Sequence, residues 1–145
     1  RPALLLADGR IVDVDGSSPM AVTSLRSTNY FIALKHRNHL GVMTANGITF
    51  PEPGPVTFDF TTNSNLILGG TNGIRLLPNG NLALFTGDFN GDGQIQIAGD
   101  LNGMIPFLGQ SGYLPADFDL NGQVQNTEIQ LKLTPNLGRG AQFGY

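Results

Sequence analysis

The residues best able to do chemistry lie in the last third of the chain, in two Asp-rich loops. The second reads Asp117-Phe-Asp119-Leu-Asn121-Gly122, with Glu128 following at the twelfth loop position. This is the spacing of a calcium-binding loop. Calcium takes six to eight hard oxygen ligands in a flexible shell. Side chains at loop positions 1, 3 and 5 (Asp117, Asp119, Asn121) can converge on one point. Gly122 permits the sharp turn, and the Gln123 carbonyl supplies the seventh position. Val124 pins the loop into the core, and Glu128 can close the shell with both oxygens. The first loop reads Asp88-Phe-Asn90-Gly-Asp92-Gly93-Gln94-Ile95. Asp88, Asn90, Asp92 and the Gln94 carbonyl fill the same roles, with Ile95 as the apolar pin. Its twelfth position is Gly99, which carries no ligand. A one-residue bulge at Ala98-Gly99 would bring Asp100 onto the ion instead. Two bound Ca2+ ions are therefore expected.

The loops form an internal repeat: Asp-Phe-Asn-Gly-Asp-Gly-Gln-Ile-Gln returns 29 residues later as Asp-Phe-Asp-Leu-Asn-Gly-Gln-Val-Gln. The plain alternative is an Asx-rich turn with no ion, since Asp, Asn and Gly favour turns in any case. Turn preference alone seldom retains ligand spacing through a duplication. Other candidate groups are poorer. His36 and His39 flank Arg37-Asn38 and are the only histidines. A zinc or general-base role would need a third ligand or a nucleophile, and the sequence places none beside them. The segment reads as a turn whose His and Arg side chains hydrogen-bond neighbouring loops. Asp8, Asp13 and Asp15 surround a hairpin and read as solvated turn residues, with a third weak cation site as the alternative. Gly138-Arg-Gly140 reads as a flexible tail, with docking of Phe143 and Tyr145 on a partner subunit as the alternative. No nucleophile–base set is evident, so the chain does not read as an enzyme.

The elements that must hold these loops are short strands. Residues 3–7 and 10–14 flank Asp8-Gly9, a hairpin signal. Met20–Leu25 could be a strand. Residues 30–36 alternate, Arg37-Asn38 can turn the chain, and 40–45 can return. Pro51, Pro53 and Pro55 make a stiff connector, and 56–60 alternates again. Residues 74–77 and 82–85 around Pro78-Asn79-Gly80 suggest a last hairpin. Six to eight short strands at this spacing fit an Ig-like β-sandwich over about 1–86. Beyond it, helix candidates at 101–108 and 127–133 follow the two loops. The expectation is a mostly β protein, with a small module of paired EF-hand-like loops over 87–145.

Composition agrees with a turn-rich β protein. The chain has 145 residues with 20 Gly and 9 Pro, and only 13% are charged, about half the usual share. With eight Lys and Arg and a net charge of −3, it is a poor nucleic-acid binder. No Cys is present, which excludes disulfides and thiolate metal sites. No run approaches the ~18 apolar residues of a membrane span, so membrane insertion is not expected. The start at Arg1-Pro2, directly before a strand-like run, reads as a processed or truncated piece of something longer.

Segment 88–134 resembles a dockerin module, a pairing of two EF-hand-like loops with helices; that likeness would imply a cohesin-like partner. Over nearly the whole chain, Arg10-Ile-Val-Asp-Val-Asp-Gly16, Ala33-Leu-Lys-His-Arg-Asn-His-Leu-Gly-Val-Met-Thr-Ala45, Thr57-Phe-Asp-Phe60 and Gly87-Asp-Phe-Asn-Gly-Asp-Gly93 resemble the C-terminal region of large secreted proteins of Bacteroidota-type bacteria. The resemblance implies an Ig-like β module, a duplicated calcium segment, and an extracellular or cell-surface location. It also implies a strand ahead of the point where this chain begins. A neighbouring copy could supply that strand, giving a homopolymer assembled by donor-strand complementation. The functional expectation is a calcium-rigidified structural subunit of a surface filament, appendage or matrix. The alternative is a C-terminal anchoring or binding module of a large adhesin or hydrolase.

Overall fold

The structure, a computed structural model, describes residues 1–6, 8–22, 28–50 and 56–144. Eight short strands pair antiparallel in four two-stranded ladders: β1 (Leu4–Leu5) with β2 (Ile11–Val12), β3 (Asn29–Tyr30) with β6 (Ile48–Thr49), β4 (Ala33–His36) with β5 (His39–Met43), and β7 (Arg75–Leu76) with β8 (Leu82–Ala83). Among the described residues no sheet exceeds two strands. Single bridges carry the pairing onward, from Val12 to Pro19, His39 to Thr86 and Thr44 to Ile67.

The hairpin signals at Asp8-Gly9 and Pro78-Asn79-Gly80 each fall between paired strands. The run expected over 30–36 divides instead: Tyr30 belongs to β3, which pairs with β6, and Ala33 opens β4, which pairs with β5. Residues 56–60 form no strand. Their alternation is real as burial, because Val56, Phe58 and Phe60 are half-buried while Thr57 and Asp59 are exposed. Phe58 and Phe60 pack edge to face with centroids 4.5 Å apart, against the Val42, Ile67, Ile74 and Leu82 core. One buried face requires no ladder partner. Residues 20–22 are likewise not a strand. The rest of the expected Met20–Leu25 strand, the Pro51, Pro53 and Pro55 connector and Tyr145 lie outside the described residues.

The second core gathers Ile95, Met104, Ala116, Phe118, Val124 and Leu133 with Leu40 and Phe85. Leu40 belongs to β5, so the strand region contributes directly to the core beneath the loops. Helical turns follow each loop. The first opens as a π-helix at Ile97–Leu101, passes through α1 (Asn102–Met104) and ends in a 3-10 turn at Ile105–Phe107. The second is a π-helix at Glu128–Leu133 followed by a 3-10 turn at Thr134–Asn136. No helix among the described residues is long and apolar enough to cross a membrane.

The two repeats obey a shared 29-residue offset and exchange partners. Ile95 N–H donates to Arg139 O (2.9 Å), as Val124 N–H donates to Gln110 O (2.9 Å). Gly138 N–H donates to Ile95 O, matching Gly109 to Val124 O, and Ala141 to Gly93 O matches Gly112 to Gly122 O. Each loop is thereby clipped to the tail of the other repeat. Met104 and Leu133, one offset apart, are both fully buried. Both halves thus bury apolar residues in one shared core, together with Leu40 and Phe85.

Candidate metal centre

In the second loop the backbone turns inward around its own side chains. Asp117 is buried; its Oδ1 accepts from Asn121 N (3.1 Å) and its Oδ2 from Gly122 N (3.0 Å). Asp119 Oδ1 also accepts from Asn121 N (3.2 Å), and Asn121 Oδ1 accepts from Gln123 N (2.8 Å). These Asx turns fold the loop and point alternate side chains to one side. Glu128, fully buried at the head of its helical turn, accepts from Phe118 N at 3.0 Å through Oε2. Its Oε1 is buried with no hydrogen-bond partner. Asp117, Asp119 and Glu128 each offer a carboxylate oxygen, all within 4.8 Å of one another, and this trio could hold a metal ion.

The first loop repeats most of these turns. Gly93 N donates to Asp88 Oδ2 (3.2 Å), Asp92 N to Asn90 Oδ1 (3.0 Å) and Gln94 N to Asp92 Oδ1 (2.9 Å). Its closure differs. Asn90 Nδ2 donates to Asp92 Oδ2 at 2.8 Å, and a Cβ on Gly99 would come within 2.7 Å of that amide nitrogen. The space that Glu128 would need here is filled by Asn90. Asp100, one residue further along the π-helix, turns its buried carboxylate back into the loop. Its Oδ1 accepts from Asn90 N (3.2 Å) and its Oδ2 from Gln96 N (2.6 Å). Asp88 Oδ1 is left buried without a partner. Among the described residues no trio as tight as the second loop's forms here.

Gln94 and Gln123 occupy matching bridges, to Gly140 and Ser111, and their side-chain carbonyls accept from Gln96 and Gln125. The electrostatics follow from crowding. Burial, with Asp119 and Asp117 nearby, pushes the Glu128 carboxyl up to about 7. Burial, then Asp100 and Asp92, pushes Asp88 to about 6. Both groups are penalised as bare anions, the condition that a bound cation relieves.

The β4–β5 turn, whose His and Arg side chains were expected against neighbouring loops, reaches the second loop; the sequence did not single out Asn38 or name Asp117 as the contact. Asn38, fully buried, donates from Nδ2 to Pro115 O (2.9 Å) and Asp117 O (2.7 Å). Arg37 Nη2 lies 3.7 Å from Asp117 Oδ2. A contact spanning about eighty positions has no local signature; the only hint was the unusual His-Arg-Asn-His string itself. His36 and His39 face each other through Nδ1 at 3.0 Å, and His39 Nδ1 lies 2.7 Å from Asn38 Oδ1. Burial, with His36 and Arg37 beside it, holds His39 down to about 3, so it packs as a neutral ring.

Asp8, Asp13 and Asp15 are each engaged locally: Asp8 by Arg10, Asp13 by Arg1 and Val14 N, and Asp15 by Ser17 and Ser18 N. Lys35 Nζ stands 5.6 Å above the Phe143 ring. Comparison with protein-family models, with curated proteins and with solved structures gave no match.

Proposed function

We propose that this chain binds two calcium ions and acts as a calcium-rigidified structural protein. The observation that carries this is the pair of orphaned oxygens, Asp88 Oδ1 and Glu128 Oε1, one buried in each repeat. Leaving a charged acceptor buried and unpaired is costly, and a cation is the natural partner in a loop of oxygen donors. The ligand set is Asp117, Asp119, Asn121, the Gln123 carbonyl and Glu128 in one loop. In the other it is Asp88, Asn90, Asp92, the Gln94 carbonyl and Asp100. The clipping of each loop to the other repeat's tail supports a clamp rather than a sensor, because an opening motion would break ladders in both halves.

The wider role is a subunit of an extracellular filament, appendage or matrix, joined by strand donation between copies onto an Ig-like module. Its support is the short, two-stranded pairing of the strand region and the exposed Leu4 and Leu5 of β1. A second reading, an anchoring module of a larger secreted protein, is favoured by the exposed Ile97, Ile105 and Leu131 on the dockerin-like helical turns.

Thermal unfolding in calcium and in excess chelator tests the clamp. A site that binds only the folded chain, at ~100-fold over its Kd, adds about 2.7 kcal/mol. That corresponds to a rise of several degrees per site for a domain of this size, roughly 2–4 °C per kcal/mol. Identical melting curves in calcium and chelator would sink it. Electron microscopy of the purified chain separates filaments from single particles.

A further inference from the structure

We propose that Arg37 is a built-in counter-charge that lowers the calcium affinity of the second loop. This rests on reading that loop as a cation site. The guanidinium reaches the loop from outside the repeat, on the turn joining β4 to β5. Two anchors fix the turn: Gly87 N–H donates to Asn38 O (3.1 Å), and the Asn38 amide clamps the carbonyls of Pro115 and Asp117. Tyr113 lies against the guanidinium, its ring centroid 3.6 Å from Arg37 Cζ. The Arg37 side chain is only 18% exposed, and its Nε is buried without a hydrogen-bond partner.

The contact acts through charge and not through geometry. At 3.7 Å the Nη2–Oδ2 approach is too long for a hydrogen bond. The Asp117 carboxylate is already aimed by Asn121 N and Gly122 N, one to each oxygen. The guanidinium therefore contributes a positive charge that water screens poorly. It offsets Asp117 in the ion-free loop. A divalent ion held by Asp117 would stand within roughly 7 Å of it, inside the ~8 Å screening length of physiological salt. The first loop offers a contrast: among the described residues, no ion pair reaches Asp88, Asp92 or Asp100.

The test is calorimetric titration of the full chain with calcium chloride. An Asp92→Ala background weakens the first loop, so that the second is read by itself. Arg37→Gln should bind calcium about tenfold more tightly than the background at low salt, the gap narrowing as salt rises. Arg37→Lys should match the background. In excess chelator, the ion-free Arg37→Gln chain should melt lower than the background, because Asp117 loses its counter-charge. A purely structural Arg37 would instead lower stability and affinity together. Unchanged or weaker binding in Arg37→Gln overturns the proposal while leaving the calcium loops intact. No binding by the Arg37-containing background overturns the loop reading first, and this inference with it. Should Arg37→Gln fail to fold, Tyr113→Ala provides the second arm. It opens the guanidinium to water and should tighten binding about two- to threefold; no tightening there counts against the proposal.

Discussion

The first repeat closes its loop with Asp100, at the thirteenth position, and the second with Glu128, at the twelfth. Much before that point coincides: the same Gly donating to the first Asp and the same swapped clip to the opposite tail, although Asp117 Oδ1 accepts from Asn121 N and its counterpart Asp88 Oδ1 has no partner. The divergence begins at Asn90, whose amide bonds Asp92 and fills the space over Gly99. In the second repeat Asp119 stands at that position, and a Glu128 carboxylate oxygen comes within 4.8 Å of its own. A shorter side chain one residue further along the helix and a longer one a residue earlier both return a carboxylate to the loop. Asp100 spends its two oxygens on two backbone N–H groups, whereas Glu128 spends one and keeps one. The same backbone can thus carry two closures of unequal reserve toward a cation.

The largest expected effect that would break this comparison is at the closing residues. Glu128→Gln should reduce calcium affinity at the second loop by more than about 100-fold, beyond the 10- to 100-fold typical of residues that merely orient a ligand. Asp100→Asn should cost the first loop about tenfold, because that side chain works largely as a backbone staple. Equal losses in calcium titrations of the two variants would mean that the closures are equivalent.

Acidity sharpens the contrast by about one pH unit. In the ion-free chain Glu128 sits at about 7 and Asp88 at about 6, both raised by burial. A raised carboxyl favours the ion-free fold most below its unfolded value near 4, and that contribution is lost as pH climbs through the folded value. A cation reverses the sign, since it binds the deprotonated form and displaces the proton. Calcium affinity should therefore fall as pH drops below about 7 at the second loop and below about 6 at the first. Titrations of single-loop variants between pH 5 and 8 check the order.

A smaller effect lies at the loop tips. Gly91 takes φ 72° and its counterpart Leu120 takes φ 64°, the only non-Gly residue with positive φ among those described. The left-handed region costs a side-chain-bearing residue about 1–2 kcal/mol, and Gly recovers most of that less its own chain entropy. Leu120→Gly should stabilise the chain by up to about 1 kcal/mol, and Gly91→Ala should destabilise it by about the same amount. Opposite shifts in denaturant midpoint would show that strain resides in one repeat only.

The loops were legible because their information is local. A two-residue alternation of Asp and Asn, a Gly at the turn and an apolar pin survive as a pattern whatever surrounds them. The helical turns were placed at 101–108 and 127–133, but the first opens at Ile97. The wider π turn has no strong residue signature, and it is the feature that carries Asp100 round to the loop. The strand region was less legible. Val56, Phe58 and Phe60 alternate because one face is buried, and burial does not require a ladder partner. The turn from His36 to His39 was recognised as a turn, yet its destination beside Asp117 depends on how β5 and Leu40 pack beneath the repeats. Such a contact is written in the tertiary fold and not in any window of the sequence.

The most direct test of the central claim is the calcium stoichiometry of the chelator-stripped chain by calorimetry at pH 8. Two equivalents bound per chain, with the second loop's share abolished by Glu128→Gln, is the predicted result. A chain that takes up no calcium under those conditions would contradict it, and the loops would then stand as Asx turns alone.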